Sequence, residues 1–363
     1  MEKKFGILTF QNTINYGADL QLYALTFILK KMGTTPVVIN YINQTIENRE
    51  DPKLKNSLQP RSFFKTLFFK IITYRKRLEF ARFKKDNFIF SKKYLKEFEN
   101  ITSEFNKVIV GSDQVWNTKL TGNDLNYFLY GVPCKIKKYS YAASFGVGSL
   151  EDLDSHSQIA QALKMFDCIS VREKAGARIV EDLAKKDAEI VLDPTFLLTK
   201  KEWIKFSKKS KIKTNEKEYL LLYFIKNSRT LDYAKKYAAE NNLSIKYISM
   251  RPFVGSKIET ITNASPEDFI KLIIGAAAVI AGSYHGFILS LNLNIPVCVD
   301  FDYTKGNRNS RMESVINMFN IDNLGVDSIN HKLVFFNNYD FLNKKLTDYR
   351  TSSLNFLEGV TQK

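Results

Sequence analysis

The chain of 363 residues contains three histidines, and one of them, His285, lies in "VIAGSYHGFILSL". The pattern predicts a buried strand, a glycine turn and a helix, with the imidazole at the turn. The first turn of a helix has unpaired backbone N–H groups and a partial positive charge, which attract phosphate or carboxylate. An imidazole titrating near neutrality can move a proton to or from a group held there. A capping or core histidine would occupy the same position. Arg172, in "ISVREKAG", falls between a strand end and a helix, where a guanidinium can grip an anion at two points or simply form a surface ion pair. Arg311 and Arg308, in "GNRNSRMES", are phosphate ligands or solvated loop charges. Asp113, in "GSDQVW", sits at a strand C-terminus and reads as a site carboxylate or as a turn former.

Other chemistries lose support. "NYGADLQ" opens the first helix with Asn15 and Gly17 and departs from G-x-G-x-x-G, so a dinucleotide fingerprint is absent. The chain has no Walker motif, G-x-S-x-G or H-E-x-x-H, which argues against nucleotide hydrolysis, serine esterase and zinc protease readings. Cys134, Cys168 and Cys298 are far apart without C-x-x-C spacing, so they read as buried thiols, with neither a disulfide framework nor a metal site implied.

The elements that must position these residues alternate. "KKFGILTF" is a strand, "DLQLYALTFILKKMG" a helix and "TPVVINYI" a strand; "FNKVIVGSDQVWN", "KKYSYAASFG", "FDCISVREKAGARIVEDL" and "AEIVLDPTFLL" continue the theme. Residues 205–218, "KFSKKSKIKTNEKE", are polar and predict a linker. The pattern then restarts with "YLLLYFI", "RTLDYAKKYAAENN" and "LSIKYIS", followed by "SPEDFIKLIIGA", in which Ser265 caps and Pro266 opens a helix. The predicted fold class is α/β, two Rossmann-like domains whose parallel sheets face each other across a ligand-binding cleft. The first domain spans residues 1–204, with a basic helical insertion at about 53–96, and the second spans 219–340. A C-terminal helix over 341–363 is expected to pack back on the first domain.

The formal charge is +16, and residues 53–96 hold fourteen Lys/Arg against Glu79 and Asp86. Such local basicity admits nucleic acid, anionic lipid or anionic metabolites as partners; no nucleic-acid motif accompanies it. Over residues 62–85, Phe63, Phe64, Leu67, Phe68, Ile71 and Ile72 suggest an apolar stripe beside Lys65, Lys70, Arg75, Lys76 and Arg77. The segment is expected either to rest on an anionic membrane or to cover the first domain. The run "EKKFGILTF" is too short to span a bilayer and lacks a signal peptide's apolar core, so the expectation is a cytoplasmic protein, peripheral at most to the membrane's inner face.

Seven segments in order, "GILTFQNTINYGADLQLYAL", "VIVGSDQVWN", "YSYAASFG", "ISVREKAG", "VLDPTFLL", "VIAGSYHGFILSL" and "NSRMESVI", resemble the polysaccharide pyruvyl transferase family. The resemblance implies a fold like that of B-type glycosyltransferases. It also implies transfer of pyruvate from phosphoenolpyruvate onto two hydroxyls of one sugar of a surface polysaccharide precursor, as a cyclic ketal, with no metal or further cofactor. By position, His285 resembles the family histidine near the reacting donor. Arg172, Ser283, Asn309 and Arg311 fall to the donor, and Asn15, Tyr16, Gly17, Asp113 and Gln114 to the acceptor, a sugar presented on a lipid carrier. Some branches carry Arg-Leu-His where this chain has Ser283, Tyr284 and His285, so Arg311 or Arg308 is the expected replacement. Some carry N-x-G-D where it has Asn15, Tyr16, Gly17 and Ala18, with the acid displaced to Asp19. The alternative of similar fold, a nucleotide-sugar glycosyltransferase, needs an acid for the ribose hydroxyls, and Glu267 or Asp268 would supply it; both read more simply as helix N-terminal acids.

Overall fold

The computed structural model describes residues 4–50, 60–94, 104–153, 155–225, 227–249, 257–301, 310–321, 324–327 and 332–362. Near-continuous apolar runs such as "PVVINY" and "FNKVIV" cannot leave a face in water, and they form parallel strands buried by helices. The first sheet contains β1 (Lys4–Leu8), β2 (Pro36–Tyr41), β3 (Phe90–Tyr94), β4 (Phe105–Val110) and β5 (Lys137–Ser140), in the order β3-β2-β1-β4-β5. All its pairings are parallel, with Ile7 opposite both Val38 and Ile109. A short parallel pair, β6 (Ser170–Val171) and β7 (Glu189–Ile190), extends the layer through bridges from Tyr139 to Cys168 and from Ala143 to Val171. Trp116 anchors the core beneath, stacked on Phe128 at 5.5 Å and edge-on to Phe166 at 5.8 Å.

The second sheet repeats the plan with β8 (Tyr219–Tyr223), β9 (Ser244–Ile248), β10 (Ile258–Ile261), β11 (Ala278–Ala281) and β12 (Val297–Val299), ordered β10-β9-β8-β11-β12 and parallel throughout. In each sheet, counting its own strands, the order is 3-2-1-4-5. The switch point of a doubly wound fold therefore falls beside the first and fourth strands, where ligands bind at the carboxyl ends.

The chain divides into two compact units: residues 1–53, 84–197 and 347–363, and residues 54–83 and 198–346. Residues 54–83 group with the second unit, not with the first domain in which the sequence places the basic segment. The reason is local: Phe83 meets Phe206 edge-on at 6.0 Å, and Arg82 bonds the buried Glu267. The expected linker is also partly ordered. Helix Lys200–Ser207 enters it, closed by a Thr199–Glu202 capping box and anchored by buried Trp203 and Phe206. Asp268 then accepts from Ser210 Oγ at 2.6 Å and Lys211 N at 3.1 Å. The last helix, Tyr339–Gln362, brings Ser353 and Arg350 to the first unit, where Leu192 N donates to Ser353 Oγ and Arg350 Nε donates to Phe196 O. Of the three cysteines only Cys298 is buried; Cys134 is exposed, contrary to expectation, because it falls in the loop before β5 and outside a core strand.

Candidate functional site

In the second unit the candidate residues gather on the turn between β11 and helix Tyr284–Asn292. Ser283 is the N-cap, extended at φ −123°, and its hydroxyl accepts from Gly286 N at 3.1 Å. His285 therefore occupies the first helical turn, 8% exposed, with its ring edge-on to Tyr284 at 5.2 Å. Gly282 is required here by contact: a Cβ would lie 2.0 Å from the carbonyl oxygen of Phe224. Phe224 itself holds a left-handed φ of 58°, a strained conformation for an aromatic residue, at the end of β8. Below the turn, Tyr223 packs on Phe269 at 4.8 Å, and burial pushes its hydroxyl well above the ordinary phenol range, partly offset by a hydrogen bond with Ser283.

Arg311 joins this group. It lies in the first turn of helix Ser310–Phe319, half-buried, with its guanidinium 5.6 Å from the centre of the Tyr284 ring. It is thus not the solvated loop charge that one reading of the sequence allows, and a cation stands beside the turn. Arg308 and Asn309 lie outside the described residues. At the end of β12, the buried Asp300 accepts from Asn227 N at 3.2 Å, Asn227 Nδ2 at 2.9 Å and Thr230 Oγ1 at 2.7 Å. Sequence reasoning passed over it, although the acid after "VCV" occupies the strand-end position that drew attention to Asp113.

In the first unit the polar residues gather past the carboxyl ends of β4, β5 and β6. Arg172 is buried, so its pairing is interior and not the surface ion pair considered from sequence. Its Nη1 donates to Asp193 Oδ2 at 2.8 Å, and its Nε lies 3.7 Å from Glu173 Oε2. Asp193 also accepts from Ser112 Oγ at 2.9 Å, Thr195 N at 3.0 Å and Thr195 Oγ1 at 2.8 Å. Glu173 is held by Ser144 Oγ at 2.6 Å. Asp113 stands next to Ser112 with φ 83°, its carboxylate accepting from Gln114 N at 2.8 Å. Gln114 lies over Gly146, whose φ of 65° and lack of Cβ leave the amide room; a Cβ there would be 2.1 Å from Gln114 Nε2.

The opening helix Tyr16–Lys31 reaches the same cluster. Asn15 is its N-cap, accepting from Gly17 N at 2.9 Å, and Tyr16 is 1% exposed, so the side chains of these two predicted acceptor residues cap and pack the helix. Behind them Gln21 donates to Thr9 Oγ1 at 3.2 Å, and Thr9 Oγ1 donates to Ser112 O at 2.9 Å. The buried Asp19, the displaced acid of the N-x-G-D pattern, has Lys84 Nζ at 3.6 Å. Asp193 and Gln21 were not singled out from the sequence; the aspartate before proline in "VLDPTFLL" was the one available signal.

The two acids of the nucleotide-sugar alternative serve structural roles. Glu267 is fully buried against Arg82, with contacts of 3.3 and 3.1 Å, and Asp268 forms a capping box with Ser265.

Residues 15–299 match the profile of the family described as Polysaccharide pyruvyl transferase. The chain belongs to that family. The match runs from Asn15 to the end of β12 and so includes residues of both units. No curated protein matches the sequence. Among solved structures, the chain is similar to UDP-GlcNAc 2-epimerase from Neisseria meningitidis bound to UDP-GlcNAc, at 14% identity and a TM-score of 0.50, covering 97% of this chain and 94% of that one. It is similar also to a further UDP-N-acetylglucosamine 2-epimerase, at 12% identity and a TM-score of 0.51, covering 97% and 90%. At such identities the likeness establishes the fold, which is the B-type two-unit α/β architecture expected from the sequence.

Proposed function

We propose that this pyruvyl transferase family member moves pyruvate from phosphoenolpyruvate onto two hydroxyls of one sugar of a polysaccharide precursor, forming a cyclic ketal. The observation that carries the reading is the Ser283-capped turn, in which a histidine lies in the first turn of a helix and a guanidinium stands over the neighbouring tyrosine. A first hydroxyl adds to the donor's enol carbon while the terminal methylene gains a proton and becomes the methyl group. His285 relays that proton, taking it from the attacking hydroxyl. Phosphate then departs with its bridging oxygen. The second hydroxyl attacks the resulting cation-like carbon, and its proton leaves with the phosphate. Arg311 and Arg172 are assigned to the donor's phosphate and carboxylate, with Ser283 and Asn309 beside them in role. Asp113 and Gln114 are assigned to acceptor hydroxyls, together with the backbone of Asn15, Tyr16 and Gly17. The acceptor is assigned to the lipid-linked saccharides of surface polysaccharide assembly.

A nucleotide-sugar reading draws only on the fold shared with enzymes that bind UDP-GlcNAc. It is not favoured, because Glu267 and Asp268 are committed to Arg82 and to the capping box. The test is phosphate release from phosphoenolpyruvate across a panel of lipid-linked sugars, run beside nucleotide release from nucleotide-sugars. Acceptor-dependent phosphate release with a new ketal methyl signal by NMR is expected. Nucleotide release without phosphate release from phosphoenolpyruvate would replace this reading.

A further inference from the structure

The long helix Pro60–Asn87 carries large apolar side chains on both of its sides. Its inner side is formed by Thr73, Lys76, Phe80 and Phe83, all buried, with Lys76 Nζ 5.3 Å from the centre of the Phe80 ring. Lys76, expected among the outward charges, is therefore a core residue. The opposite side presents Phe68, Ile71, Tyr74 and Leu78, which are 60%, 65%, 60% and 52% exposed. Spacings of three and four residues put these side chains in one row on a helix. Of the stripe expected from sequence, Phe68 and Ile71 lie in this row, Leu67 and Ile72 are half-buried, and the side chains of Phe63 and Phe64 lie outside the described residues.

Water contact with four large apolar side chains in a row is unfavourable, and such rows mark interaction surfaces. The helix is held in this orientation. Arg82 Nη2 lies 3.1 Å from Glu267 Oε2, Arg82 Nε 2.9 Å from Glu79, and Phe83 meets Phe206. Exposed cations accompany the row, Arg75 within it and Lys85 beyond its end, where the exposed Asp86 follows; the segment 53–96 as a whole carries fourteen Lys/Arg against two acids. Pairing two copies through this face would bring those cations together, whereas an anionic surface matches both the apolar row and the charge.

We propose that the row Phe68, Ile71, Tyr74 and Leu78, with Arg75 and Lys85, is a docking face for an anionic phospholipid bilayer, the helix lying in the interface plane. No helix among the described residues is long and apolar enough to cross a membrane, so the contact is peripheral. The proposal stands on the helix alone and is independent of the pyruvyl transfer reading, because its test involves no turnover.

The experiment sediments the full chain with vesicles of phosphatidylcholine alone and of phosphatidylcholine mixed with phosphatidylglycerol. Binding is expected to the mixed vesicles and to weaken with salt. The variant F68S/I71S/Y74S/L78S should bind at least about tenfold less, since interfacial affinity scales with buried apolar area. The variant R75Q/K85Q should bind mixed vesicles several-fold less and lose part of the salt dependence. Because the altered side chains are exposed, unchanged circular dichroism melts are expected for both. Failure of the wild-type chain to bind, equal binding to both vesicle types, or undiminished binding by the serine variant would overturn the proposal. So would a dimer at sedimentation equilibrium that the serine variant dissolves, since the face would then belong to a second copy.

Discussion

Truncating Asp193 to alanine tests the buried polar cluster of the first unit. The Arg172 and Asp193 side chains are 2% and 0% exposed and meet at 2.8 Å, so solvent does little to screen the pair. Alanine removes the acceptor for Arg172 Nη1 and the hydrogen bonds that Ser112 Oγ, Thr195 N and Thr195 Oγ1 make to the carboxylate. Glu173 stays 3.7 Å from Arg172 Nε but is already engaged by Ser144, so its compensation is partial. Leaving one partner of a buried pair uncompensated costs about 3–5 kcal/mol. At about 2–4 °C per kcal/mol for units of this size, the melting temperature should fall by roughly 6–20 °C. The double variant Arg172→Met/Asp193→Leu, which removes both charges, should recover most of the loss. Urea and thermal denaturation followed by circular dichroism supply the numbers. The reasoning is refuted if Asp193→Ala costs under about 1 kcal/mol, or if the double variant is as unstable as the single one.

Three further outcomes are expected. His285→Ala should leave the fold and donor affinity intact and lower kcat by about two to four orders of magnitude, as loss of a general acid/base does; wild-type turnover in steady-state kinetics would exclude that role. Arg172→Lys should raise the dissociation constant for phosphoenolpyruvate in calorimetry, because an ammonium cannot reproduce a planar two-point grip, and an unchanged value would assign Arg172 to stability alone. Burial pushes the Cys298 thiol up to about 12, so folding disfavours its thiolate. Its contribution is complete below the unfolded thiol pKa of about 8.5 and is lost as pH rises toward 12. Cys298→Ala should therefore flatten the alkaline fall in stability, and a mass-spectrometric alkylation at neutral pH should modify Cys134 while sparing Cys298.

Much of the fold is written locally. Apolar strands of four to six residues, capped helices such as Ser265-Pro266, and regular alternation dictate parallel sheets, because each run buries itself only between helices. The turn at Ser283 and His285 was equally legible, since strand, glycine and capped helix are adjacent in sequence. What the sequence left open depends on partners distant along the chain. Whether Arg172 meets solvent or Asp193 is settled 21 residues away, and whether Arg311 is a loop charge or sits over Tyr284 is settled by how two helices pack. The basic helix shows the limit most clearly. Its apolar and basic residues do not segregate onto two clean faces, so periodicity alone could not choose its inner side. The choice came from Phe83 against Phe206 and Arg82 against Glu267, contacts spanning more than a hundred residues, which turned Lys76 inward and left Phe68, Ile71, Tyr74 and Leu78 in water.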